Sequence, residues 1–125
     1  MDGLITVRSS RDVDSTMAAI RTQAEGHGAM VIAVVDHAAA ARKAGQDLPA
    51  TQVIIFGNPA AGTPLMQATP EIAIDLPLRI MVRAEGDGSV VTWQDPAYVA
   101  DRYGLAADHL KPLQAPAAIV DAALG

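Results

Sequence analysis

Six polar side chains in the first two-thirds of this chain have the chemistry to bind or react: Asp36, His37, Thr51, Asn58, Thr63 and Asp75. Phe56 is their apolar neighbour. His37 is the sharpest of them. It follows a wholly apolar run, Ala29 to Val35, and stands at the expected start of a helix, where free backbone N–H groups and the helix dipole attract anions. A neutral imidazole there can serve as a base, a proton donor or a metal ligand. Asp36 would hold that ring in place or act as a second ligand. The plainer reading makes Asp36 an N-cap and His37 a packed or surface residue.

Asp75, before Leu76-Pro77, is expected to accept backbone hydrogen bonds and fix a turn. Asn58 before Pro59 reads as a turn or cap residue. The segment Gly57 to Pro64 invites comparison with a phosphate-binding loop but lacks its lysine and its spacing. A looser anion site, made by Thr63 at a helix N-terminus, stays open. His27 lies in a Gly-His-Gly turn and His109 in a polar segment. Three histidines without paired spacing give little support for a metal, and no serine sits in a G-x-S-x-G elbow. With no cysteine, thiol catalysis, Cys-ligated zinc and iron–sulfur clusters are excluded. Neither a metal nor another cofactor is assigned.

The elements that must position these residues follow from periodicity. Leu4 to Arg8 alternates as a strand. Asp12 can cap a helix of about 14 residues, whose stripe Val13, Met17, Ile20 and Ala24 should face the core and which Gly26 and Gly28 would end. Ala29 to Val35, apolar throughout, predicts a strand covered on both faces. Asp36 opens a short helix through Lys43, and Thr51 to Phe56 is a further apolar strand. Gly57 is expected to need a positive φ or a close backbone approach that only glycine allows. Thr63 is read as an N-cap with Pro64 at the first helical position. Leu78 to Arg83 alternates as a half-exposed strand, Glu85 to Gly88 turns, and Ser89 to Trp93 returns. Pro96 opens a helix to Tyr103, and Pro116 begins a last one.

The fold class is therefore α+β: about five strands in an antiparallel-rich sheet, packed against two main helices, with short helical insertions. Residues 1–125 form one domain. Half the residues are hydrophobic, mean hydropathy is +0.22 and aromatics are only 3%, so the core must be aliphatic. No apolar run approaches the roughly 18–20 residues that cross a bilayer. No basic region precedes a hydrophobic segment at the N-terminus, so a cytoplasmic location is expected and no membrane partner. The net charge of −5, with nine scattered Lys and Arg, disfavours nucleic acid.

The stretch Val35 to Leu78 also resembles a family. Asp36-His37 followed by alanines, Phe56-Gly57-Asn58-Pro59, Gly62-Thr63-Pro64-Leu65-Met66 and Asp75-Leu76-Pro77 match the run carried by the bacterial and archaeal family called domain of unknown function 302. The resemblance covers roughly residues 3–105, which leaves about 106–125 as a C-terminal helical extension. It implies a strand, a helix, four strands and a helix. It supplies no reaction. Family members often have His after Arg near the end of the shared region, whereas here Arg102 is followed by Tyr103.

Three functions fit these residues. The first is a module that binds a small ligand or anion, with a pocket between helices and sheet near Asp36, His37 and Phe56. The second is an acid–base enzyme using His37 with Asp36 or Asp75. The third is an assembly module without catalysis. A homodimer is expected in any case, because two main helices can cover only one face of a sheet whose strands read as apolar on both.

Overall fold

Local sequence sets the first two elements. In the computed structural model, which describes residues 1–125, Leu4–Ser9 forms strand β1 and Val13–Gly26 forms helix α1. Asp12 caps that helix by accepting from the Ser15 N–H at 2.8 Å. The stripe read from the sequence faces inward, with Val13, Met17, Ile20 and Ala24 all buried. Met30–Asp36 is β2, His37–Lys43 the short α2, Thr51–Gly57 β3 and Pro59–Ala68 α3. A 3-10 segment, Pro70–Asp75, leads through a cis Leu76–Pro77 peptide into β4, Leu78–Glu85. The hairpin then returns as β5, Gly88–Gln94. Pro96–Tyr103 is α4, ended by Gly104 in the left-handed region (φ 63°), and Ala115–Leu124 is α5.

The five strands make one fully antiparallel sheet in the order β1-β5-β4-β3-β2. Helices α1 and α5 pack on one face and on each other, over Ile54, Phe56, Ile80, Val82, Val91 and Trp93. A smaller apolar cluster, Leu65, Ile72, Val99 and Leu113, joins α3, the 3-10 segment and α4 at one end of the sheet. Where β1 enters α1, Thr16 shares hydrogen bonds with the hydroxyls of Ser9 (2.8 Å) and Ser89 (3.1 Å). All three side chains are buried, and this chain of hydroxyls satisfies polar atoms that would otherwise destabilise the junction.

Four expectations change. The strand read as covered on both faces, β2, is an edge strand whose Met30, Ile32, Ala33 and Val35 are exposed. An unbroken apolar run shows that both faces suit apolar surroundings, but not whether this chain provides them. Thr63 is not an N-cap: Asn58 caps α3 by accepting from the Ala60 N–H at 3.0 Å, Pro59 takes the first turn, and Pro64 lies inside the helix. Asn-Pro and Thr-Pro carry the same start signal, and the helix begins at the earlier one. Gly57 has no positive φ, and a Cβ there would meet Pro77 at an ordinary 3.5 Å. Finally, α5 belongs to the main core through Ile119, Val120 and Ala123.

Candidate functional site

Three of the sequence motifs come together at one end of the sheet. Phe56 and Gly57 end β3, Asn58 and Pro59 start α3, Gly62, Thr63 and Met66 lie along that helix, and Leu76 to Leu78 lead into β4. Together they wall a cavity of about 340 Å³. His27, Ala29, Met30 and Ile32 close it from the β2 side, and Leu113, Ala115 and Ile119 from the C-terminal segment. The lining is mostly apolar, with His27, Asn58 and Thr63 as its polar groups. His27 Nδ1 lies 2.7 Å from the Gln23 carbonyl, an acceptor, so Nδ1 donates and the neutral ring leaves Nε2 as an acceptor. His27 therefore belongs with the cavity, although the sequence marked it only as a turn residue.

Asp36, His37 and Thr51 lie elsewhere in the chain. Met30 pairs with Gly57 at the cavity end, whereas Asp36 pairs with Gln52 at the other. Six residues of strand separate these levels, roughly 20 Å at the usual rise. Asp36 caps α2 by accepting from the Ala39 N–H at 2.9 Å, and His37 is exposed beside it. The Thr51 hydroxyl donates to the Pro49 carbonyl at 2.8 Å. Within one chain, His37 and Asp75 stand at opposite ends of the sheet.

Asp75 adjoins the cavity through Leu76 and gathers side chains rather than backbone donors. Tyr103 donates to its Oδ2, Arg102 approaches Oδ2 at 3.0 Å, Arg79 approaches Oδ1 at 3.5 Å and Gln94 reaches Oδ1 at 3.5 Å. Arg102 also lies 5.5 Å from the centre of the Tyr98 ring. Partial burial pushes the Asp75 carboxyl up. The hydrogen bonds from Tyr103, Arg102 and Gln94 outweigh that and hold it below its ordinary 3.8. The hydrogen bond to Asp75 also raises Tyr103. A carboxylate held ionised in this way is a poor proton acceptor, and its visible work is to tie α4 to the start of β4. The Arg102-Tyr103 departure from the family pattern thus falls on Asp75, not on the Asp36-His37 pair.

The pH dependence follows in sign. A carboxyl lowered by folding contributes stability that is complete above its unfolded value and is lost as pH falls through its folded value. The gap in Tm between the wild type and Asp75→Asn is expected to be constant between about pH 5 and 9, below the range where Tyr103 titrates, and to shrink as pH falls towards 2. Thermal melts at a series of pH values check this, and a constant gap throughout would contradict it.

A five-stranded antiparallel sheet carrying two helices on one face, with motif residues walling an end cavity, defines an α+β domain of a recognisable kind. The chain belongs to the family "Domain of unknown function DUF302", whose model matches residues 5–123. That match takes in α5, so the last helix is part of the family fold and not an addition to it. The chain is similar to the crystal structure of an uncharacterised conserved DUF302 protein from Bacillus stearothermophilus. The TM-score is 0.82 at 14% identity, over 99% of this chain and 97% of that one. It is also 44% identical over 104 residues to proteins named fluoride-specific ion channel FluC 1 from Brucella suis biovar 1 (strain 1330) and Brucella abortus biovar 1 (strain 9-941). The aligned stretch is 82% of this chain but only 41% and 38% of those relatives. No helix here is long and apolar enough to cross a membrane.

Proposed function

We propose that the protein is a cytoplasmic binding module for a small, largely apolar molecule with one polar end, held in the cavity between α3, the end of β3 and α5. The single observation that carries this reading is the cavity of about 340 Å³ walled by three of the family's motif segments. Its size falls at the lower end of small-molecule sites, which are mostly apolar with a few placed polar groups. His27, Asn58 and Thr63 supply those groups. The acid–base alternative gains less support, since Asp75 is committed to Arg102 and Tyr103. In the Brucella relatives such a module would accompany a channel built from the remainder of a longer chain.

The test uses N-phenyl-1-naphthylamine, a neutral apolar fluorophore with one N–H. A Cβ on Gly62 would meet Leu76 at 3.8 Å and Met66 at 4.0 Å, so a larger side chain there has room to enter the cavity. Gly62→Leu is expected to weaken probe binding at least about tenfold, while Tm holds or rises because glycine is a poor helix former. Undiminished binding to folded Gly62→Leu would refute the cavity reading.

A homodimer is the second part of the proposal, supported by the apolar surface that this chain leaves uncovered. Both main helices lie on one sheet face, while Met30, Ile32 and Val35 are exposed along β2. Light scattering at micromolar concentration should give a mass of about 26 kDa, twice 12.9 kDa. A mass of one chain would refute it.

A further inference from the structure

The polar side chains of the cavity are His27, Asn58 and Thr63, and two of them have one end already committed. His27 Nδ1 faces the Gln23 carbonyl, which leaves Nε2 free. Asn58 Oδ1 accepts from the Ala60 N–H, which leaves the Nδ2 hydrogens as donors. The Thr63 hydroxyl can donate or accept.

These groups stand at the mouth. All three residues are exposed, whereas Phe56, Leu65, Leu113 and Ile119, at 4% exposure or less, form a buried apolar floor. The strand register explains the grouping. Met30 pairs with Gly57, so the residues just beyond them, Ala29 back to His27 and Asn58 onward, leave the sheet at the same end.

No Asp, Glu, Lys or Arg lines the cavity. His27 is thus the one lining group that can carry a charge, and the charge it can carry is positive. Charged residues that flank the lining in sequence come in opposite signs. Asp75 is held by Arg79 and Arg102, while Glu25 and Lys111 are both exposed. A negatively charged head is therefore the only charged head that this cavity can neutralise.

We propose that the ligand is a monocarboxylic acid with an apolar tail, its carboxyl group held at the mouth by His27 and Asn58. This rests on the cavity reading above and adds the chemical class of the ligand. A carboxyl group and a neutral imidazole hold one proton between them, so their hydrogen bond is made wherever that proton sits. With the proton on Nε2 the bond is charge-assisted. The second carboxyl oxygen accepts from Asn58 Nδ2. A carboxylate placed at the mouth keeps part of its hydration, which avoids the heavy cost of burying a charge, and the tail fills the floor. An ammonium head fits badly, because it brings only donors to a lining without a carboxylate. An alcohol can meet Nε2 but forms no ion pair with it.

Displacement of N-phenyl-1-naphthylamine by decanoate, decanol and decylamine reads the head group directly, since all three share one alkyl chain. Each is used below the concentration at which it forms micelles. In the wild type decanoate should displace the probe at a concentration about tenfold below that of decanol, the effect of one charge-assisted hydrogen bond. Decylamine should need more than either. His27→Gln keeps a polar side chain that cannot take up a proton. It should raise the decanoate requirement about tenfold and leave that of decanol within about twofold, whereas a purely structural change at the mouth would move both alike. Asn58→Asp keeps an N-cap for α3 and puts a carboxylate where the donor stood, so decylamine should now displace the probe before decanoate does.

Equal displacement by decanoate and decanol in the wild type, or an equal loss of both in His27→Gln, would overturn the carboxylic acid. An unchanged order of head groups in folded Asn58→Asp would overturn the part given to Asn58. Failure of the cavity reading shows separately, as undiminished probe binding by Gly62→Leu or as no probe binding by the wild type, and either would remove the carboxylic acid with it.

Discussion

A chain ending at Gln114 is expected to lose its cooperative melt altogether. The missing helix α5 carries Ile119 and Val120, buried at 0% and 2% exposure, and both pack in the main cluster with α1 and the sheet. Burying an aliphatic side chain of this size contributes about 1.5–3 kcal/mol. Removing α5 costs those two side chains and also bares the surfaces of α1 and the sheet that they cover. The total is comparable to the roughly 5–15 kcal/mol that holds a domain folded. Circular dichroism during heating checks this: a non-cooperative trace is expected, and a sharp transition would show that α5 is an accessory.

The sequence describes the elements well and their neighbours less well. Helix α1 was legible because Val13, Met17, Ile20 and Ala24 recur at helical spacing behind an Asp12 cap, and local signals suffice for that. The hairpin between β4 and β5 was legible from Gly86 and its flanking alternation. Edge and centre were not, since the apolar run of β2 is the same string whether a strand, a helix or a second copy covers it. The cavity was partly legible. Its motif residues stood out, but only the fold shows that Phe56, Asn58 and Leu76 converge while Asp36 pairs with Gln52 at the far level. Asp75 drew attention for a turn, and its partners Arg102 and Tyr103 lie 27 and 28 residues on. No local pattern predicts such a meeting.

Gly88→Ala should be among the most damaging single substitutions in the chain, whereas Gly57→Val should be mild. The sequence singles out Gly57 as the constrained glycine, because it stands between an apolar strand and a turn. Gly57, however, has ordinary backbone angles and an open side, with the nearest atom to a new Cβ being that of Pro77. Gly88 opens β5 where β1 passes close by. A Cβ there would fall far inside van der Waals contact with the backbone carbonyl of Ser9, and close to the backbone of Ser10 at 3.4 Å. Backbone atoms cannot rotate aside as a side chain can, so the β1–β5 pairing must shift to accept one methyl group. That pairing sets Ser9 against Ser89 and holds the buried hydroxyls of Ser9, Thr16 and Ser89 in contact with one another and with the Arg11 backbone, so the strain spreads through a buried polar network. Forced overpacking costs about 1–3 kcal/mol, and a buried hydroxyl left unpaired adds about 1–3. Gly88→Ala should therefore lose about 3 kcal/mol or more. Gly57→Val should stay within about 1 kcal/mol, the range of changes that disturb no packed feature. Urea titration of the two variants side by side decides the matter, and a Gly57→Val loss equal to that of Gly88→Ala would show that the turn into α3, not the β1 crossing, is the tighter constraint.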